Sequence, residues 1–263
     1  MDCQSIKYPI YIISKGRWKN PLTAKFLLKE NIPFSIVIEP QEYDQYLTTI
    51  PKQFIKILPF SNLGLGSFPA RNWCWDDSIQ NGFEKHFLFD DNIRGFTLFK
   101  KGERSTCSIS MPAFICLQNL THQYKNIGIS GFQYNYFITK ATNKPFFINT
   151  HVYSGMLINN QMPFRWRLKY NEDIDLCLQA LHSKRYCTLL LNKYTINKTT
   201  TNAKMPGGNQ TELYQNNNPA KKILKAMSIQ RVWPQYVRVG FRYGRPHHLI
   251  SWKKHFKHSL IRN

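Results

Sequence analysis

Acidic side chains are what this chain has least of. Its 263 residues carry 15 Asp and Glu against 36 Lys and Arg, a formal net charge of +21. Beyond Pro219 there is no acidic residue at all. So large an imbalance excludes an enzyme that handles one neutral small molecule and touches nothing else. It points to a polyanionic partner: nucleic acid first, an anionic membrane or glycan second. An organism-wide basic bias is the plainer reading of the same numbers and stays open.

Other shortages narrow the class. The six cysteines include no C-x-x-C pair, and no His cluster completes a zinc site. Cys74, Cys116 and Cys177 sit in apolar runs, where a thiol behaves as a small hydrophobe, so the cysteines read as reduced. The N-terminus lacks the basic start, apolar stretch and small-residue cleavage site of a signal peptide. No apolar run approaches the ~20 residues of a membrane span. The expectation is a cytoplasmic protein with, at most, peripheral membrane contact. Disorder is excluded by composition, with 42% hydrophobic and 14% aromatic residues, enough for one large domain or two small ones.

What the chain does have is organised around Lys85-His86-Phe87-Leu88-Phe89-Asp90-Asp91-Asn92-Ile93. An apolar, aromatic run with the length of a buried strand ends abruptly in two carboxylates and an amide. An oxygen-rich cluster at a strand's C-terminal edge suits a hard divalent ion, usually one carrying a diphosphate. A strand followed by an ordinary Asp-Asn turn explains the same residues.

Upstream, Tyr8–Ser14 reads as a doubly buried parallel strand opening into the loop Lys15-Gly16-Arg17-Trp18. Asn20 and Pro21 start a helix. Ile32–Ile38, ending at Glu39-Pro40, and Phe54–Leu58 give two further strands, with a short helix between them. Strand and helix alternating at this spacing begin a Rossmann-like α/β sheet. A glycine-bearing loop at Gly64 and Gly66 leads into a helix from about Pro69 to Gly82, with Arg71-Asn72 in its first turns. A helix N-terminus with an Arg favours an anion, although a solvated Arg on an ordinary helix explains it equally.

After Ile93 the pattern predicts a short strand at Thr97–Lys100, a polar turn at Gly102–Ser105 and a helix at Met111–Tyr124. Strands follow at Ile127–Ile138, Phe146–Ile158 and Cys187–Leu191. Gly131 and Gly155 suggest bulges or a ligand approaching the backbone. Glu172, Asp173 and Asp175 cluster at the start of a helix that continues through Leu176, Leu178 and Leu181. Acids there are ordinary dipole partners, yet a carboxylate held by the dipole stays ionised on the loop side of the sheet, where a general base is needed. Residues 197–219 are polar and read as a mobile loop or linker. Residues 220–263 interleave Arg231, Arg238, Arg242, Arg245, Lys253 and Lys254 with Trp233, Tyr236, Phe241, Tyr243, Trp252 and Phe256. That mixture suits a nucleic-acid backbone with stacking on exposed bases, and some of the rings serve equally to pack the segment.

Together these parts resemble a GT-A nucleotide-sugar glycosyltransferase, over about Tyr8 to Leu191. The phrases YPIYIISKGR, ARNWCWDDSI, FLFDDNI and YNEDIDLCL are similar to the TET-associated glycosyltransferases, found largely in bacteriophages and implicated in glycosylating modified pyrimidines in DNA. The resemblance implies an α/β GT-A-like domain over 1–196, with 220–263 as a basic nucleic-acid-binding extension. It implies a nucleotide-sugar donor, a UDP-sugar by preference, surrounded by Ser14, Arg17 and Glu39, with Arg71 and Asp90 approaching it. Asp91 and Asn92 are the implied ligands of Mn²⁺ or Mg²⁺, Asp173 the general base and Glu172 its companion. The acceptor implied is a hydroxylated pyrimidine, and the compartment a host cytoplasm. Asn92 stands where many relatives carry Asp, and an amide is a weaker ligand for a hard cation. A glycan or protein acceptor, and an inactive nucleic-acid-binding relative, are the alternatives.

Overall fold

The fold is built outward from β1 (Ile10–Ile13). Along this strand Ile10 and Ile12 point to one face and Tyr11 and Ile13 to the other, the period-2 alternation of a pleated strand. Both faces are apolar, so β1 must lie inside a sheet covered on both sides. In the computed structural model, which describes residues 4–100, 103–107, 110–139, 142, 144–198, 207–208, 219–242 and 244–263, it does. β1 pairs in parallel with β2 (Ser35–Ile38) and β4 (Lys85–Asp90), and β2 with β3 (Ile55–Ile57).

The second half is mixed. β5 (Ile93–Lys100), β6 (Glu103–Cys107), β7 (Ile127–Tyr134), β8 (Phe146–Ile148), β9 (Gly155–Asn159) and β10 (Cys187–Lys198) complete a ten-stranded sheet. Its order is β3-β2-β1-β4-β9-β7-β10-β5-β6, with β8 beside β10. Strand β9 runs antiparallel to both β4 and β7, which turns a parallel sheet into a mixed one. Helices α1 (Leu22–Lys29) and α4 (Met111–His122) cover one face, around Phe87, Phe89, Phe96, Phe114 and Phe132. Helices α3 (Phe68–Gln80) and α5 (Glu172–His182) cover the other, around Trp75 and Trp166; the short α2 spans Tyr43–Leu47. This is a GT-A-like mixed sheet flanked by helices.

Several local expectations change, among them the strand read over Ile127–Ile138, which ends at Tyr134 and gives way to a turn at Asn135–Phe137. Residues 103–105, read as part of a polar turn, belong to strand β6, which pairs antiparallel with β5; Gly102 lies outside the described residues. The single strand read over Phe146–Ile158 is two strands, separated by a connection at 149–154. Strand β10 runs to Lys198 rather than stopping at Leu191, because its register shifts after Leu191 and its second half pairs with β5 as well as β7. Gly131 and Gly155 serve close packing. A Cβ on Gly131 would lie 2.4 Å from the Gly155 carbonyl oxygen, and one on Gly155 would lie 2.9 Å from the Phe89 ring.

The C-terminal residues form α6 (Pro219–Val232), the hairpin β11 (Val237–Arg242) and β12 (Arg245–Ile250), and a short α7 (Trp252–His255). Ile229, Trp233, Val237 and Phe256 bury themselves against Ile174, Leu178 and Leu181 of α5. Each such side chain contributes roughly 1.5–3 kcal/mol, so together they rival the ~5–15 kcal/mol by which a domain is stable. Most of the rings read as stacking surfaces are therefore packing groups. Phe241, at 72% exposed, is the large ring left open, and Tyr243 lies outside the described residues.

Asp175 ties this segment down. It is fully buried, and its carboxylate accepts from Arg167 Nε and Nη2 at 2.9 and 3.0 Å, Trp233 Nε1 at 2.7 Å and Gln179 Nε2 at 2.9 Å. Asp175→Ala strands the Trp233 indole N–H and is expected to cost about 3 kcal/mol. A denaturant melt measures this; an unchanged midpoint would show that the contact carries no weight.

Candidate active site

Parallel strands deliver their C-terminal ends to one edge of the sheet, and the acidic residues gather there. Thr23, in the first turn of α1, fixes the end of β4. Its hydroxyl donates to the Asp90 carbonyl at 2.6 Å and accepts the Ile93 N–H at 3.0 Å, while its own N–H donates to the Asp91 carbonyl at 3.2 Å. The two carboxylates leave this turn in different company.

Asp90 lies between two cations. Arg71 Nη2 donates to its Oδ1 at 2.8 Å and Lys198 Nζ to its Oδ2 at 2.6 Å. Both cations are themselves buried, at 6% and 8% side-chain exposure. Burial pushes the Asp90 carboxyl up, but Lys198 and then Arg71 outweigh it and hold the group well below the usual carboxylate range. Burial pulls the Lys198 ammonium down, but Asp90 and Tyr134 together outweigh it and raise the group, so both stay charged. Lys198 also donates to Ser154 Oγ and, at 3.3 Å, to Tyr134 Oη.

Arg71 links this cluster to the second acidic group. Its Nη2 lies 3.6 Å from Glu172 Oε1, its Nε donates to Ser67 Oγ at 3.1 Å, and Ser67 Oγ donates to Glu172 at 2.8 Å. Beside Glu172, Asp173 accepts the Ile174 N–H at 2.9 Å on Oδ1 and meets His151 Nε2 at 2.9 Å on Oδ2. Burial raises Glu172, whereas His151 and Arg71 together overcome burial at Asp173 and hold it well below the usual range. Residues from α3, β4, α5, β10 and the 149–154 connection thus share one constellation.

The predicted donor side lies over β1 and β2. Ser14 Oγ donates to Asp91 Oδ2 at 2.6 Å, and Arg17 pairs with Asp91 Oδ1. Burial raises the Asp91 carboxyl against the opposing pull of Arg17 and Ser14. Glu39 accepts from Lys15 at 2.9 Å, Gln41 at 2.6 Å and the Asn62 N–H at 3.0 Å. Gly207 and Gly208 sit on the Lys15–Arg17 loop: the Gly208 N–H donates to the Lys15 carbonyl at 2.7 Å. A Cβ on Gly207 would lie 2.6 Å from the Gly16 carbonyl oxygen. The rest of the polar segment 199–218 lies outside the described residues. Arg231, Arg238, Arg242, Arg245, Lys253 and Lys254 are all exposed, on α6, the β11–β12 hairpin and α7.

Lys198, His151, Tyr134 and Ser154 are the site residues that sequence reasoning missed. Lys198 lies beyond the expected end of its strand, and His151 inside what reads as one strand over Phe146–Ile158.

A sequence profile of the TET-Associated Glycosyltransferase family matches residues 8–208. The chain belongs to that family. It is therefore a glycosyltransferase, and the matched span holds every member of the constellation from Ser14 to Lys198. No curated protein matches the chain. Among the described residues, no helix is long and apolar enough to cross a membrane.

The resemblance implies a divalent ion on Asp91 and Asn92, and the donor set can be tested for it. All four carboxylate oxygens of Asp90 and Asp91 already accept from Arg71, Lys198, Arg17 or Ser14. Among the described residues, no group of three His, Cys, Asp or Glu side chains is disposed to hold a metal. A hard cation needs several open, preferably charged oxygens, and this arrangement does not fit one. Manganese titrated into the protein alone is expected to bind no tighter than about millimolar. A micromolar site abolished by Asp91→Asn would contradict that.

Proposed function

We propose that this glycosyltransferase moves a sugar from a nucleotide-sugar donor, a UDP-sugar by preference, to a 5-hydroxymethyl- or 5-hydroxypyrimidine in DNA. The observation that carries the reading is the meeting of Arg71, Asp90, Lys198 and the Glu172–Asp173 pair at one strand edge, within a chain of net charge +21. The cationic members suit the donor's diphosphate, the acidic pair suits an acceptor hydroxyl, and the overall charge suits the polymer that carries it.

In this reading Ser14, Arg17 and Glu39 line the side toward the donor's base and ribose, with Asp90 orienting Arg71. As the bond from the sugar's C1 to the diphosphate breaks, the electron pair leaves with the phosphate oxygen. Arg71 and Lys198 are fixed cations beside that growing charge and stabilise it through their field, with Lys198 held by Asp90, Ser154 and Tyr134. The acceptor oxygen bonds to C1 from the opposite side, and its proton goes to the Asp173–His151 pair. Glu172 orients the acceptor. The exposed Arg231, Arg238, Arg242, Arg245, Lys253 and Lys254 follow DNA phosphates, a contact that weakens steeply with salt.

The test is a transfer assay with UDP-sugars, offering unmodified DNA, DNA containing 5-hydroxymethylpyrimidines, and glycans, read by mass spectrometry of the digested products. The expected product is a modified nucleoside heavier by one sugar. Asp173→Asn is expected to lose at least about a hundredfold in turnover with donor binding intact. Sugar appearing only on glycans would show the DNA assignment to be wrong.

A further inference from the structure

We infer that His151, rather than Asp173, is the group that takes the proton from the acceptor hydroxyl, with Asp173 holding the imidazole in position. This rests on the transferase reading above and assigns one step within it.

The backbone around His151 is fixed on both sides. The Thr150 N–H donates to Thr188 Oγ1 at 2.8 Å, and that hydroxyl donates back to the Thr150 carbonyl at 2.6 Å. On the other side Val152 is fully buried, and its N–H donates to Cys177 Sγ of α5 at 3.4 Å. The ring itself is packed between aromatics. Its centroid lies 4.3 Å from that of Tyr153 and 6.1 Å from that of Trp252, nearly parallel to the latter at 10°. The two faces of the ring are turned toward these aromatics, which leaves its nitrogen edges for chemistry.

One edge is taken. Nε2 meets Asp173 Oδ2 at 2.9 Å. Asp173, whose Oδ1 already accepts the Ile174 N–H, is the acceptor in this contact too, so Nε2 carries the proton and donates it to Oδ2. Nδ1 is then a bare lone pair, and it has no hydrogen-bond partner among the described residues. The side chain is 16% exposed, so the nitrogen is not sealed in the core. Asp173 is the poorer base of the two. Both its oxygens already accept hydrogen bonds, and a carboxylate stabilised in that way has little tendency to gain a proton.

The proton balance is direct. The acceptor O–H bond breaks, its proton goes to Nδ1, and the oxygen's electron pair forms the new bond to C1. The bond from C1 to the diphosphate breaks, and its electron pair leaves with the phosphate. The resulting imidazolium is stabilised by Asp173 through Nε2–H. Charged and titratable neighbours leave it free to act. His248 of β12 is pushed down to about 3, first by burial, and is neutral; burial also holds the Tyr153 phenol neutral. Arg71 of α3 and Lys225 of α6 are the cations whose charge reaches Asp173.

The decisive variant is His151→Gln, whose amide still donates toward Asp173 but cannot take a proton. Turnover is expected to fall about 10²–10⁴-fold while donor affinity and melting temperature hold. The acidic limb of the turnover–pH profile is expected to vanish. In His151→Ala, added imidazole is expected to restore part of the rate. A Gln variant that keeps near-native turnover and an unaltered acidic limb would overturn the assignment and return the role to Asp173. Nitrogen-15 NMR of the unaltered protein gives a readout independent of activity. Nε2 should be protonated and Nδ1 bare, and the opposite tautomer would overturn the assignment alone. Absence of transfer to any acceptor by the unaltered protein would instead overturn the reading of its function.

Discussion

One carboxylate, held charged by two buried cations, organises this protein's active edge. Burying Asp90, Arg71 or Lys198 singly would cost several kcal/mol. Together, at 2.8 and 2.6 Å, they offset one another, and each is placed by a different element: the end of β4, the first turns of α3 and the end of β10. The pairing therefore fixes the site's geometry as well as its charge. Through Arg71 it extends to Glu172 at 3.6 Å, and so to the start of α5, whose other face seats the C-terminal segment. The strand edge, the start of α5 and the C-terminal segment are mechanically one unit.

In the proposed function the same pairing supplies the positive charge beside the leaving diphosphate. With all four oxygens of Asp90 and Asp91 engaged, the strand end does not hold out ligands to a divalent ion. It fixes the guanidinium of Arg71 and the ammonium of Lys198 instead. Preorganised charges of this kind stabilise a developing anion without reorganising as it forms.

The parallel half of the fold was legible in the sequence because doubly buried strands such as Ile10–Ile13 and Lys85–Asp90 leave short apolar runs with abrupt polar ends. The same abruptness exposed Asp90 and Asp91. Lys198 was hidden for the converse reason. Strand β10 crosses a register shift, and the polar pair Asn192-Lys193 inside it looks like a strand end. His151 was hidden because the turn at 149–154 carries apolar neighbours that blur two strands into one. In the C-terminal segment, composition alone does not separate rings that stack on a ligand from rings that pack a core. Ile229 on α6, Trp233 just beyond it and Val237 on β11 come from different elements, so no single periodicity marks the apolar face they turn toward α5.

The measurement that bears most directly on this account is a crystal structure with UDP bound. The β-phosphate oxygens should lie about 2.7–3.2 Å from Arg71 and beside Lys198, with Asp90 still between the two cations. A diphosphate held instead by a metal ion on Asp91 and Asn92, with Lys198 swung away from Asp90, would contradict it.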